Sequence, residues 1–190
     1  MRTLILASLL LVHLAGWGED WSRFRGANGS GVASGSGFPN ELRKSGNAVW
    51  RTPVRPGKSS PILTARHVVL TGFSDGKLYT QCFDRQSGKL LWERAVPKVS
   101  EMMANRLNHP AGISSVADGE NIISFFKDYG FVSYDAAGNL RWQTPMGPFN
   151  NTMGLGAAPV LAGPNVVLLA DQVEGSFIAA LDRKNGELRW

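Results

Sequence analysis

A single cysteine, Cys82, stands in this 190-residue chain. That excludes a disulfide scaffold and a Cys-rich zinc site. No three Lys or Arg residues adjoin, although the net charge is +5 and the pI near 9.7. Without a basic stripe or a recognition motif, the balance reads as a solvated surface and no nucleic-acid partner is expected. No apolar run reaches the ~20 residues that a membrane-spanning helix needs. The apolar runs also lack the 3.6-residue period of amphipathic helices, which argues against a helical solenoid. At 43% hydrophobic and 18% charged residues, the composition is not that of a disordered chain.

What is abundant is punctuation. The chain carries 22 Gly and 10 Pro, a content that favours many short strands and turns. It also carries six Trp, and their placement is informative.

The N-terminus reads as a targeting segment. Met1-Arg2 gives a positive start, Leu4 to Leu14 an apolar core, and Ala15, Gly16 and Gly18 a small-residue end. This is the order of a secretory signal peptide, expected over 1–18 with cleavage between Ala15 and Gly18. A buried N-terminal helix is the alternative. Export to the periplasm or extracellular space is expected, with a net charge of +4 once Arg2 is removed. Residues 19–48 form an N-terminal lead.

Three segments end alike: FDRQSGKLLW from Phe83, YDAAGNLRW from Tyr134 and LDRKNGELRW from Leu181. Each places an Asp (Asp84, Asp135, Asp182), a Gly (Gly88, Gly138, Gly186) and a Trp (Trp92, Trp142, Trp190) in the same order. The tryptophans lie 50 and then 48 residues apart, and each follows its Gly by four positions. Upstream, Pro61 and Pro159 each lie 31 residues before their Trp. The Asp side chain bonds backbone amides in the turn, and Gly accepts the positive φ there. The apolar residue before Asp and the Trp after Gly are expected on paired strands. A Trp at one fixed place per unit suggests a wedge packed between units, because no unit could bury it alone. Four short strands in each 48- to 50-residue unit describe β-propeller blades. The fold class is therefore all-β, with four-stranded antiparallel blades over about 59–96, 113–146 and 157–190.

These three strings resemble the Trp-docking repeat of the PQQ-like β-propellers, also called quinoprotein alcohol dehydrogenase-like. The likeness spans about Trp50 to Trp190, and WSRFRGANGSGV from Trp21 resembles the start of secreted members. The resemblance implies that Trp docks one blade onto the next. Residues 49–54, with Trp50, look like the last strand of a blade absent upstream. That strand is expected to complete the final blade of a longer ring. Three blades make an incomplete ring, so a fragment is expected, with the remaining blades of the same longer chain as its partner. An assembly of several chains is the alternative.

The family contains two functional kinds. Quinoprotein dehydrogenases use pyrroloquinoline quinone and calcium, while non-catalytic propellers bind proteins, as the outer-membrane assembly lipoprotein does. The dehydrogenases also carry a disulfide between adjacent cysteines, which Cys82 alone cannot make. Asp84, Asp135 and Asp182 recur in matching turns and read as structural. No Glu/Asn/Asp calcium set stands out, His13, His67 and His109 lack metal-ligand spacing, and no nucleophile elbow surrounds Ser59-Ser60 or Ser114-Ser115. No catalytic, cofactor or metal residue is assigned. The expected function is an exported, non-catalytic scaffold that binds a protein or small ligand on its rim. The runner-up is a fragment of a quinone- and calcium-dependent dehydrogenase, and a propeller hydrolase or lyase is a third reading. Two long inter-blade connections reach one rim, and they nominate Glu101, Asn105, Arg106, Asn150 and Asn151 as rim-binding residues.

Overall fold

A computed structural model describes residues 19–36, 38–41, 46–97, 108–147, 149, 151 and 154–190. The expected signal peptide over 1–18 lies outside the described residues.

Among the described residues, eleven strands build three antiparallel sheets, each a simple meander. The first holds β1 (Ile62–Leu63), β2 (His67–Ser74), β3 (Lys77–Asp84) and β4 (Leu90–Pro97) in that order. The second holds β5 (Val116–Ala117), β6 (Ile122–Phe126), β7 (Gly130–Tyr134) and β8 (Leu140–Pro145). The third holds β9 (Val160–Ala162), β10 (Asn165–Ala170) and β11 (Phe177–Asp182). Its fourth position is marked by a single bridge between Leu181 and Leu188. These are propeller blades. Among the described residues the only helical element is a 3₁₀ turn at Ala27–Gly29. None of their helices is long and apolar enough to cross a membrane.

The core lies between blades rather than within them. Successive strand residues point to opposite faces of a sheet. In β6, Ile122 and Phe126 pack with Val69, Leu78 and Trp92 of the first blade. Ile123 and Phe125 instead pack with Val166, Leu168 and Leu181 of the third. Every residue of β6 and β7 is buried, because the middle blade is covered on both faces. The third blade is covered on one face only. Its β10 alternates, with Val166, Leu168 and Ala170 buried and Leu169 51% exposed.

The turn chemistry recurs in all three units. The Asp84 carboxylate accepts from the Ser87 amide and hydroxyl, Asp135 from the Ala137 and Asn139 amides, and Asp182 from the Lys184 amide. Beyond each of the first two turns the ladder slips. Phe83 faces Leu90 but Cys82 faces Trp92, and likewise Tyr134 faces Leu140 but Ser133 faces Trp142. The Trp is thus opposite the residue before the apolar one, not the apolar one itself, because a bulge takes up Leu91 and Arg141.

Docking runs from each Trp to the turn of the following blade. The Trp92 indole N–H donates to the Ala136 carbonyl at 2.9 Å, and Trp142 to Arg183 at 3.0 Å. Trp50 does the same to Arg85 at 3.0 Å, although residues 49–54 join no described ladder. The indole face lies on the glycine. A Cβ on Gly88, Gly138 or Gly186 would come within 2.5, 2.7 and 2.4 Å of Trp50, Trp92 and Trp142. Two residues beyond each Trp, Arg94 Nε and Thr144 Oγ1 donate to the Gly138 and Gly186 carbonyls. Trp190 lies on no glycine among the described residues and is 60% exposed.

Candidate functional site

In a four-stranded meander the first and third turns meet at one end of the blade. The second turn and the inter-blade connections meet at the other. The described parts of both connections, with the β6–β7 turn, form a cleft of about 270 Å³ at that second end. Asn108, His109, Lys127 and Leu155 line it, and Phe24 and Lys58 bring in the lead and the segment before the first blade.

Local packing fixes these parts. The lead pairs with β1 through reciprocal Trp21–Leu63 backbone bonds of 2.8 and 2.9 Å, and the Ser22 carbonyl accepts the Ala117 amide. It therefore runs along the inner strands of two blades and carries Phe24 to the cleft. Gly154 has φ +80°, and a Cβ there would lie 3.1 Å from Asn108 Cβ. Glycine thus lets the second connection touch the first. The segment before the first blade is clamped beside it. The Arg55 guanidinium stacks 3.8 Å from the Tyr79 ring centroid and pairs with Glu93 at 2.6 Å. The Lys58 amide then donates to the Ala111 carbonyl.

Two cations and one imidazole dominate the lining. The Lys127 side chain is only 7% exposed, with Asp128 Oδ1 4.0 Å away. Burial, helped by Lys58, holds His109 below the usual histidine range, which keeps the ring neutral at pH 7. Its Nδ1 accepts the Ala111 amide at 3.2 Å, so the ring proton sits on Nε2. Apolar walls come from Phe24, Ile113 and Leu155. The nearby Ser60 amide donates to Ser114 Oγ. Such a cleft binds by charge, hydrogen bonds and apolar contact.

Of the residues nominated from sequence, Glu101, Asn105, Arg106 and Asn150 lie outside the described residues. Asn151 is half-buried, and its amide donates to the Asp171 carbonyl at 3.0 Å. It is not among the cleft lining. Sequence reasoning missed Lys58 and Lys127. The first precedes a strand and the second sits in a short hairpin, and neither position repeats across the units. Only the fold brings them together.

Calcium does not suit this cleft. Its described lining contains no carboxylate and two ammonium groups, whereas calcium takes oxygen ligands. Among the described residues, no group of three His, Cys, Asp or Glu could hold a metal ion. Cys82 lies inside the first blade, fully buried, and burial pushes its thiol up to about 12.

A second cleft, of about 290 Å³, opens at the opposite blade end between the first two blades. Its origin is visible in the repeat. Between the second and third blades, Arg183 Nε reaches Asp118 Oδ2 at 3.3 Å. Ala136 replaces that arginine one junction earlier, as the matching indole bonds show, and Thr64 replaces the aspartate.

Comparison with known proteins agrees with the geometry. The chain resembles a structure titled "Europium-containing methanol dehydrogenase" with a TM-score of 0.55 and 14% identity, over 72% of this chain and 24% of that one. It resembles quinohemoprotein alcohol dehydrogenase from Comamonas testosteroni with a TM-score of 0.53 and 17% identity, over 72% of this chain and 21% of that one. The chain thus spans about a quarter or less of those proteins, and the likeness shows the fold alone. No curated protein matches in sequence. A family model of PQQ-like repeats, described as "Outer membrane protein assembly factor BamB", matches residues 15–190. This three-bladed chain therefore belongs to the PQQ-like propeller family that bears that description.

Proposed function

We propose that this chain is an exported propeller module that binds a protein or ligand at its rim and performs no chemistry of its own. The cleft where three blades meet carries this reading, with Lys58, Lys127 and His109 among apolar walls. The family description, an assembly factor, supports a protein partner. The charged start, apolar core and small-residue end of residues 1–18 support export. Leu169, Ile178 and Trp190 offer a further blade an apolar face, consistent with a larger ring.

Titration with pyrroloquinoline quinone and calcium tests the non-catalytic reading, followed by quinone absorbance and Trp fluorescence. No saturable change is expected. Stoichiometric uptake of the quinone would overturn the proposal in favour of a quinoprotein dehydrogenase.

A further inference from the structure

We infer that the second cleft, at the blade end away from the rim, receives an arginine side chain of a partner protein. That the partner is a protein rests on the binding reading above. The guanidinium is argued from the repeat and from the cleft itself.

The junction one blade on shows what holds this space when it is filled. There Arg183 crosses from the third turn of one blade to the first turn of the blade before it and reaches Asp118 Oδ2 at 3.3 Å. Between the first two blades Ala136 stands in that position, opposite Thr64, and about 290 Å³ stays open. A guanidinium arriving from outside takes the place that the chain fills from within one junction later.

The cleft also offers an acceptor. Asn121 lines it and is 2% exposed. Its Nδ2 donates to both Asp118 carboxylate oxygens, at 3.2 and 3.1 Å, which fixes the amide with Oδ1 turned away from that carboxylate. Oδ1 is buried and finds no donor among the described residues. Buried polar atoms are nearly always bonded, so this oxygen calls for an N–H. Glu120, its neighbour on the same turn, supplies the charge. The Glu120 side chain is exposed, lines the cleft, and makes no hydrogen bond or ion pair among the described residues. Asp20 also lines the cleft, but Arg85 engages it at 3.7 Å. Burial holds His67 below the usual histidine range, so its ring is neutral at pH 7 and does not oppose a cation. Arg66, exposed, is the opposing charge. Ala117, Ile122 and Ala136 give apolar walls for the flat faces of a guanidinium. Its fork of five N–H donors can serve Asn121 and Glu120 together, whereas a lysine ammonium is a point charge.

NMR titration of the ¹⁵N-labelled chain tests this, with acetyl-Gly-Arg-Gly-amide as probe. The Lys, citrulline and Glu counterparts and free arginine complete the arms. The Arg peptide should saturably shift the Ala65, Ala117 and Gly119 amides and the Asn121 side-chain amide, and leave the rim amides of His109 and Gly112 in place. The citrulline peptide should bind at least about fivefold more weakly, and the Lys peptide about threefold. Glu120→Gln should weaken the Arg peptide about threefold, and Arg66→Gln should tighten it about as much. Both side chains are exposed, so these variants keep the fold. Thr64→Asp with Ala136→Arg, which fills the cleft from within, should abolish binding. Equal binding of the Arg peptide and its Lys or citrulline counterpart, tighter binding of the Glu peptide, no loss in Glu120→Gln, or undiminished binding to the filled cleft would overturn the guanidinium site. Free arginine binding as tightly as the peptide would overturn the partner-protein assignment. No binding of the Arg peptide would remove this inference alone, because the quinone titration tests the non-catalytic reading separately.

Discussion

Gly138→Ala isolates the docking contact between the first two blades. Its Cβ would lie 2.7 Å from Trp92 Cγ and Cδ2, at φ +81°. Two costs add. A left-handed conformation costs a non-glycine residue about 1–2 kcal/mol. Crowding a packed aromatic ring costs about 1–3 kcal/mol more. Gly119→Ala is the control, since Gly119 has φ +93° and nothing within 4 Å of its Cβ. It carries the backbone cost without the clash, and the unfolded-state change is the same in both variants. The difference between them is therefore the docking contact, about 1–3 kcal/mol. With a urea slope of about 2 kcal/mol/M, the Gly138→Ala midpoint should fall roughly 1 M below that of Gly119→Ala. Combining Gly138→Ala with Trp92→Phe, which makes room, should recover part of the loss as a coupling energy. Equal midpoints for the two alanine variants would refute the docking argument.

Other expectations follow from the same geometry. Arg183→Ala should destabilise the chain by about 1 kcal/mol, since Arg183 is partly exposed while Asp118 is buried. The pair Thr64→Asp with Ala136→Arg should stabilise it by closing the second cleft, as thermal unfolding will show. Asp135 is held below the usual carboxylate range, chiefly by the Asn139 side-chain amide and then by the Asn139 backbone. A depressed carboxyl stabilises the fold above its unfolded value and loses that effect as pH falls through the folded value. The melting-point gap between wild type and Asp135→Ala should therefore be full near neutrality and shrink below about pH 4. Cys82, fully buried with its thiol pushed up to about 12, should resist alkylation at pH 8 until the chain is unfolded. Rapid labelling of the native chain would contradict that burial.

The blade pattern was legible in sequence because a β-meander repeats its turns at fixed spacing. Asp84, Gly88 and Trp92 recur as a unit; the structure gives the Asp of every unit the same turn role and lays Trp50, Trp92 and Trp142 on the glycine of the following turn. The docking partner was not legible in spacing alone. Gly88 and Trp92 are neighbours in sequence, yet Trp92 lies on Gly138, one blade on. The bulge at Leu91 was also hidden, because one unpaired residue leaves the apolar pattern intact. The rim cleft was legible only as a region. Long connections marked the correct end of the blades, but the cations there come from a hairpin and a pre-strand segment whose positions do not repeat. The Ala136 and Arg183 difference was present in the sequence. Its meaning required Asp118, a contact that only blade stacking creates.

Hydrogen exchange at the indole nitrogens tests the stacking most directly. Trp50, Trp92 and Trp142 each donate their indole N–H to the next blade, while Trp190, at the same repeat position, is 60% exposed. With signals assigned by Trp→Phe replacement, three slow indoles and a fast Trp190 are expected. Equal exchange at all four would contradict blade-on-blade docking.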